Sequence, residues 1–193
     1  MNVVAILLAA GSAKRFGSDK LLHALPHEVP IAIQAARNLA AVVGKDVLVV
    51  LRPEAKALSA LFLKEGCRAV VCDNAAEGMG ASLACGVRAA GAADAFLVAL
   101  ADMPFIRAST IEAVRDALAS GATLAAPYFR ARRGHPVGIA GIFRAELESL
   151  GGDEGAKTLL ARHQDKMTKI PVGDPGAIRD IDTPGDLAPP LVV

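Results

Sequence analysis

The stretch that decides the fold is Val3-Val4-Ala5-Ile6-Leu7-Leu8-Ala9-Ala10, which ends at Gly11. A short continuous apolar run that ends at a glycine is typical of a strand buried on both faces. The loop that follows, residues 11–20, contains two glycines and three cations. Glycine lets the main chain approach an anion, successive amides form an anion-holding concavity, and lysine and arginine supply charge. The loop therefore predicts a binding site for a polyphosphate.

Apolar runs of strand length alternate along the chain with alanine-rich stretches of helical period. The predicted pairs are 3–9 with 31–43, 47–51 with 54–65, 69–72 with 81–90, and 95–100 with 109–119. Four successive strand–helix units predict an α/β fold with a three-layer, Rossmann-like, mostly parallel sheet. Ser109 and Glu112 form a capping box that predicts the start of the fourth helix, and Gly121 suits its end.

Beyond residue 122 the pattern is looser. It predicts a strand at 124–128, an arginine-rich turn, a short apolar piece at 136–139, and helical segments at 143–150 and 156–163. We expect these pieces to cover one edge of the sheet and to build the second half of a cleft. The length of 193 residues fits a single domain over 1–193.

Composition and charge exclude several classes of protein. The net charge of +1 provides no field for nucleic acid or an anionic membrane, so the partner is expected to be a small molecule. The first apolar run has no basic segment before it and is about half a membrane span long, so neither export nor insertion is predicted. The three cysteines match no disulfide or metal spacing, which indicates reduced thiols and a cytoplasmic location.

Three polar loops follow predicted strand ends, at residues 11–20, 74–82 and 102–104. Ligands of such sheets bind at the carboxyl ends of the strands, so all three loops are expected to face one crevice. The first loop has neither the spacing of a P-loop nor a G-x-G-x-x-G turn. It therefore predicts neither a Walker NTPase nor an ordinary dinucleotide site.

Aspartates in the third loop and in a late segment, residues 179–184, are candidate metal ligands. Asp102 ends an apolar strand and precedes Pro104, and a carboxylate at this place suits Mg²⁺, which prefers hard oxygen ligands. Asp180 and Asp182 lie on the same side of an extended segment, so one of them can complete the site. The alternative for the second pair is a plain helix-entry cap in Asp182-Thr183-Pro184.

Two further clusters have alternative interpretations. In residues 78–82 the amides and the Ser82 hydroxyl can bond a base or ribose, whereas a nucleophile elbow would need a glycine after the serine, at position 84. The second cluster consists of Arg130, Arg132, Arg133 and His135. It is either a binding site for a second, anionic substrate or a solvated loop.

The pattern Leu8-Ala9-Ala10-Gly11-Ser12-x-x-Arg15-x-Gly17-x-x-Lys20 resembles the signature loop of nucleotidyltransferases of the molybdenum cofactor and sugar-nucleotide group. The resemblance is to the molybdenum cofactor cytidylyltransferases, within the MobA-like NTP transferase superfamily. It continues through residues 77–83, 101–104, 134–137, 152–157 and 180–184. It implies a sheet of the nucleotide-diphospho-sugar transferase type, and alanine at position 10 implies a cytosine base rather than guanine.

The resemblance also implies an activity and its residues. The expected reaction moves CMP from CTP to the terminal phosphate of molybdopterin with Mg²⁺ and releases pyrophosphate, and a molybdoenzyme or its chaperone is a possible partner. Expected catalytic residues are Arg15, Lys20 and Asp102; acceptor residues are Arg133 and His135; Asp182 is the better second metal ligand. The expected nucleotide-binding residues are Leu8, Ala9, Ala10, Gly11, Ser12, Arg15, Lys20, Gly78, Ser82 and Asp102.

Alternatives stay open at this point. The same chemistry can use GTP or another phosphorylated acceptor, because acceptor recognition lies in the loosely patterned last third of the chain. A different class would be a nucleotide-binding oxidoreductase, which usually needs the G-x-G-x-x-G turn that this sequence lacks, or a nucleotide sensor without catalysis.

Overall fold

The computed structural model describes residues 1–11 and 20–187. The predicted nucleotide-binding residues Ser12 and Arg15 lie outside the described residues, as does Gly17. The first loop is thus described at its two ends, Gly11 and Lys20.

The elements follow the predicted alternation of strands and helices. The strands are β1 (Val3–Leu8), β2 (Val47–Leu51), β3 (Arg68–Val71), β4 (Ala95–Leu100), β5 (Leu124–Phe129), β6 (Arg132–Arg133), β7 (Val137–Ala140) and β8 (Met167–Pro171). The α-helices are α1 (Ile31–Val43), α2 (Lys56–Lys64), α3 (Met79–Ala89), α4 (Ala108–Ala119), α5 (Arg144–Glu148) and α6 (Lys157–Arg162).

The eight strands form one sheet in the order β3-β2-β1-β4-β7-β5-β6, and β8 pairs with β5. The pairs β1–β2, β1–β4, β2–β3 and β5–β8 are parallel. Strand β7 runs antiparallel to both β4 and β5, so β5 and β8 have the same direction as β1 and β4. The predicted mostly parallel α/β sheet is confirmed.

Strand β1 explains the three layers. All six of its residues are buried, and alternate side chains enter two different apolar clusters. Ala5 and Leu7 pack with side chains of α1, α2 and α4 on one face. Ile6 and Leu8 pack with side chains of α3, α5 and α6 on the other. A continuous apolar run is what a strand covered by helices on both faces requires.

Two local predictions differ from the structure. The capping box is wrong, because α4 begins at Ala108 and no side chain of its own first turn caps it. The main-chain N–H of Arg107 instead donates to Asp174, 67 residues away. Strand β8 was not predicted, since it is an edge strand whose residues are only partly buried or exposed. Within the described ranges, no helix is long and apolar enough to cross a membrane.

Candidate active site

The carboxyl ends of β1 and β4 lie side by side. The Ala101 amide donates to the Leu8 carbonyl at 3.1 Å, and the Ala9 amide donates to the Val50 carbonyl at 3.0 Å. Leu8 and Ala9 are buried, whereas Gly11 is exposed. Apart from its chain neighbours, no described residue has an atom within 4 Å of a Cβ placed on Gly11, so these residues leave space beside the main chain there.

Three carboxylates meet at this edge of the sheet. Asp102, Asp180 and Asp182 each place one oxygen within 4.8 Å of the others. The Ile181 amide donates to the Asp102 carbonyl at 2.9 Å, which holds the late segment against the end of β4. We call the three aspartates and Lys20 the acidic centre. Clustered carboxylate oxygens suit a hard divalent cation such as Mg²⁺.

Lys20 lies between two of these carboxylates. Its ammonium nitrogen donates to Asp102 Oδ2 at 2.9 Å and to Asp182 Oδ1 at 3.4 Å. Burial by itself lowers the pKa of Lys20. Asp102 and Asp182 raise this pKa through their hydrogen bonds and their negative charges, and the net result is a pKa above 10.5. Lys20 therefore carries its charge throughout the physiological pH range. Asp102 and Asp182 are 82 and 162 positions from Lys20 in the sequence, and the structure brings these three predicted residues together.

Asp174 holds the segment that leads to Asp180 and Asp182. Its side chain is buried and accepts hydrogen bonds from the Arg107 amide at 2.9 Å, the Thr110 hydroxyl at 2.7 Å and the Gly176 amide at 3.0 Å. The sequence analysis did not identify this residue. The pair Asp174-Pro175 is a signal that could have revealed it, since aspartate before proline is typical of a capped turn.

His135 does not behave like the arginines with which it was grouped. Burial lowers its pKa below 6.5, the Val98 carbonyl opposes this effect, and the charge of Arg133 adds to it. Its Nδ1 atom lies 3.4 Å from that carbonyl, and its main-chain amide donates to Ala177 at 2.8 Å. The carboxylates of Asp102 and Asp180 raise its pKa slightly, so the ring lies within their field. The neutral ring thus belongs beside the acidic centre, whereas Arg133 is exposed.

The residue 78–82 turn is a packing contact as well as a candidate ligand site. A Cβ on Gly78 would lie 2.5 Å from the Gly152 carbonyl oxygen, and the Gly80 amide donates to that oxygen at 2.7 Å. Ser82 is buried in α3, and its hydroxyl donates to the Gly78 carbonyl at 3.2 Å. A buried hydroxyl within a helix does not suit a nucleophile elbow. Contact of Gly78 or Ser82 with a base or ribose stays a prediction.

A family model described as the MobA-like NTP transferase domain matches residues 5–167. The chain belongs to this family. Among curated proteins, this MobA-like NTP transferase is 33% identical over 190 residues to the nicotine blue oxidoreductase of Paenarthrobacter nicotinovorans, covering 94% of this chain and 92% of that protein. It is 30% identical over 192 residues to the purine catabolism protein PucB of Bacillus subtilis, with the same coverage of 94% and 92%.

The solved structures agree with the fold. The crystal structure of Rv0371c from Mycobacterium tuberculosis superposes with a TM-score of 0.83 at 21% identity, covering 96% of each chain. The sheet and its covering helices match solved structures that have the nucleotide-diphospho-sugar transferase fold. The match of the family model confirms the predicted resemblance to the MobA-like superfamily. The chain is therefore a member of a nucleotidyltransferase family.

Proposed function

We propose that this MobA-like NTP transferase moves CMP from CTP to the terminal phosphate of a molybdopterin-type acceptor. An oxygen of the acceptor phosphate bonds to the α-phosphorus of CTP, the bond from that phosphorus to the bridging oxygen breaks, and pyrophosphate leaves with that oxygen and its electron pair. The observation that carries the proposal is the position of Lys20 between Asp102 and Asp182. That arrangement lies beside the carboxyl end of β1, where no described residue crowds the main chain at Gly11.

The donor set fits a divalent metal ion. Asp102 and Asp182 would hold Mg²⁺, and Asp180 lies close enough to contribute as well, since the three carboxylates lie within 4.8 Å of one another. When bound, the ion neutralises charge on phosphate oxygens. Carboxylate oxygens are hard ligands of the kind that Mg²⁺ prefers.

The side chains of this protein supply alignment and charge. Lys20 is a cation at the end of the first loop, and with Arg15 it would bind the triphosphate. The amides near Gly11 would bond phosphate oxygens, and Ala10 would border the base, which the resemblance implies to be cytosine. A phosphate monoester dianion is already a nucleophile, so positioning and charge neutralisation are the main tasks of the protein.

The test is pyrophosphate release with each of the four nucleoside triphosphates, with and without molybdenum-loaded pterin. We expect release with CTP that depends on the acceptor, and much less in the Asp102→Asn variant. Preference for GTP would correct the base, and release with a different acceptor would correct the acceptor. CTP binding without any release would indicate a sensor and would overturn the proposed transfer.

An oxidoreductase is the second candidate, because one relative at 33% identity is named nicotine blue oxidoreductase. With NADH or NADPH supplied as the reductant, such an activity would consume it when nicotine blue is added. The chain has no G-x-G-x-x-G turn after β1, so we expect no absorbance change at the reduced-nicotinamide band. Steady oxidation that depends on nicotine blue would favour this candidate over transfer.

A further inference from the structure

A cavity of about 610 Å³ opens beyond the carboxyl ends of β5 and β8. We call it the basic cleft; Tyr128, Arg130 and Lys169 line it, together with residues 171–173. Tyr128 and Pro171 are partners in the parallel pair, and the Val172 amide donates to the Tyr128 carbonyl at 3.0 Å. Because β5 and β8 run in the direction of β4, the basic cleft and the acidic centre occupy the same edge of the sheet.

Within the part of the chain that the structure describes, the cations of the basic cleft have no carboxylate partner. Arg130 and Lys169 line the basic cleft, and Arg132 and Arg133 lie in the adjoining strand β6. All four are exposed, and among residues 1–11 and 20–187 no carboxylate pairs with any of them. The ammonium of Lys169 lies 5.6 Å from the centre of the Tyr128 ring. A cation over an aromatic face is held in place by the ring. Since the whole chain has a net charge of only +1, this concentration of charge is local. Uncompensated charge in a concave surface attracts anions.

The turn that carries Arg130 is strained. Phe129 and Arg132 pair across a two-residue loop, in which Arg130 has φ 47° and Ala131 has φ 65°. Such hairpin loops favour asparagine and glycine, because a Cβ is unfavourable at positive φ. This turn has arginine and alanine at its two positions instead of the preferred asparagine and glycine. Strain of this kind is typical of a side chain retained for function.

We propose that the basic cleft binds an anionic group of the acceptor other than the phosphate that reacts, with Arg130 and Lys169 supplying the charge. This inference rests on the proposed function, in which the acceptor is the second substrate. An acceptor that is held in the basic cleft while its phosphate reaches the acidic centre is fixed at two points. Such orientation favours attack on the α-phosphorus.

The test is a binding measurement that needs no turnover. Fluorescence anisotropy follows 6-carboxypterin, an anionic flat heterocycle, and uncharged pterin as each is titrated with the full chain. We expect 6-carboxypterin to bind wild type at least about tenfold more tightly than pterin, and the Arg130→Gln/Lys169→Gln double variant to lose that preference. The control is the double variant Lys56→Gln/Lys64→Gln on α2, which removes the same amount of charge next to β3, far from the basic cleft in the strand order. This control should keep the preference for 6-carboxypterin over pterin.

The single variant Arg130→Gly separates charge from strain. Glycine accepts the positive φ, so the melting temperature should rise by about 2–4 °C, whereas 6-carboxypterin binding should fall. Equal binding of 6-carboxypterin and pterin by wild type, or unchanged binding in the double variant, would overturn the proposed subsite. Because binding is measured without CTP, these results are independent of whether pyrophosphate is released, and failure of the proposed function is recognised separately.

Discussion

The acidic centre and the basic cleft lie on one edge of the sheet but are built in opposite ways. The acidic centre joins Lys20, Asp102 and Asp182 from three distant parts of the chain, and the ammonium of Lys20 pairs with both of these carboxylates. The basic cleft is built from the ends of two paired strands, and no carboxylate among the described residues pairs with its cations, Arg130 and Lys169. Internal ion pairs stabilise the first region, and a ligand must replace them. The second region presents cations that rest on aromatic rings, and these are the charges that we propose to bind an anion.

One segment of chain serves both regions. Residues 171–173 line the basic cleft, and Asp180 and Asp182 belong to the acidic centre. Between them lies Asp174, which is buried and bonded to the start of α4. The difference between the regions teaches that a single buried anchor can position two sites of opposite charge, since the chain between them is only a few residues long.

The largest effect should come from Asp102→Ala. We expect transfer to fall by about 10³-fold or more if this carboxylate holds the metal, with a melting temperature close to that of wild type. Pyrophosphate release and thermal melting measure the two quantities. Asp180→Ala is the matched control, because Lys20 does not contact that carboxylate, and its loss should be smaller. Unchanged turnover in Asp102→Ala would remove the residue from the mechanism.

Asp174→Ala should chiefly lower stability. Its loss leaves two amides and a hydroxyl without their acceptor, which costs about 3 kcal/mol, or about 6–12 °C in melting temperature. Asp165→Ala, at an exposed acid, should change little. If the two regions share this anchor, Mn²⁺ binding and 6-carboxypterin binding should both weaken in the variant. Loss of only one would show that the regions are positioned separately.

Lys20→Met should act in opposite directions on two ligands. Without nucleotide, Mn²⁺ no longer competes with the ammonium for Asp102 and Asp182, so it should bind about tenfold more tightly. CTP loses a cation partner and should bind about tenfold more weakly. Electron paramagnetic resonance of free Mn²⁺ and titration calorimetry measure the two affinities, with Lys64→Met as the control. If CTP binds the variant as tightly as wild type, Lys20 does not hold the triphosphate.

The smallest effect should be on pH dependence. Burial lowers the pKa of His135 below 6.5, so the unfolded chain takes up a proton there more readily than the folded chain. The free energy of unfolding should therefore be unaffected by this group above that pH and decrease as the pH falls from 6.5 towards the lowered pKa. Urea melts between about pH 7 and pH 5 should show a shallower decrease for His135→Gln than for wild type. Equal slopes would contradict a lowered pKa of His135 in the folded chain.

Much of the fold was predictable from the sequence because its elements have strong periodic patterns. The first four strands and four helices were predicted within a few residues of their observed bounds, since continuous apolar runs and alanine-rich helical periods are local signals. The predictions that failed concern elements that depend on contacts between distant parts of the chain. Asp174 replaced the expected capping box at α4, and the partly exposed β8 depends on pairing with β5.

The site was predictable as a set of residue types but not as an arrangement. Sequence position indicated Lys20 and Asp102, because loops after buried strands meet at one sheet edge, and the family resemblance favoured Asp182 over Asp180 as the second metal ligand. It gave no sign that Lys20 bridges the two carboxylates, and it grouped His135 with the arginines although burial keeps that ring neutral. The strain at Arg130 was also invisible, since a positive φ is a property of the folded turn.

The sequence by itself determined the sheet with its covering helices, the family, and which residue types stand at the strand ends, because hydrophobic periodicity and glycine spacing act over a few residues. Only the tertiary structure decided which charges are paired and which are not. Pairing depends on distances between segments that are far apart in the chain, as between Lys20 and Asp182. Those distances are set by the packing of the whole sheet, and so the acidic centre and the basic cleft became visible only when the chain was folded.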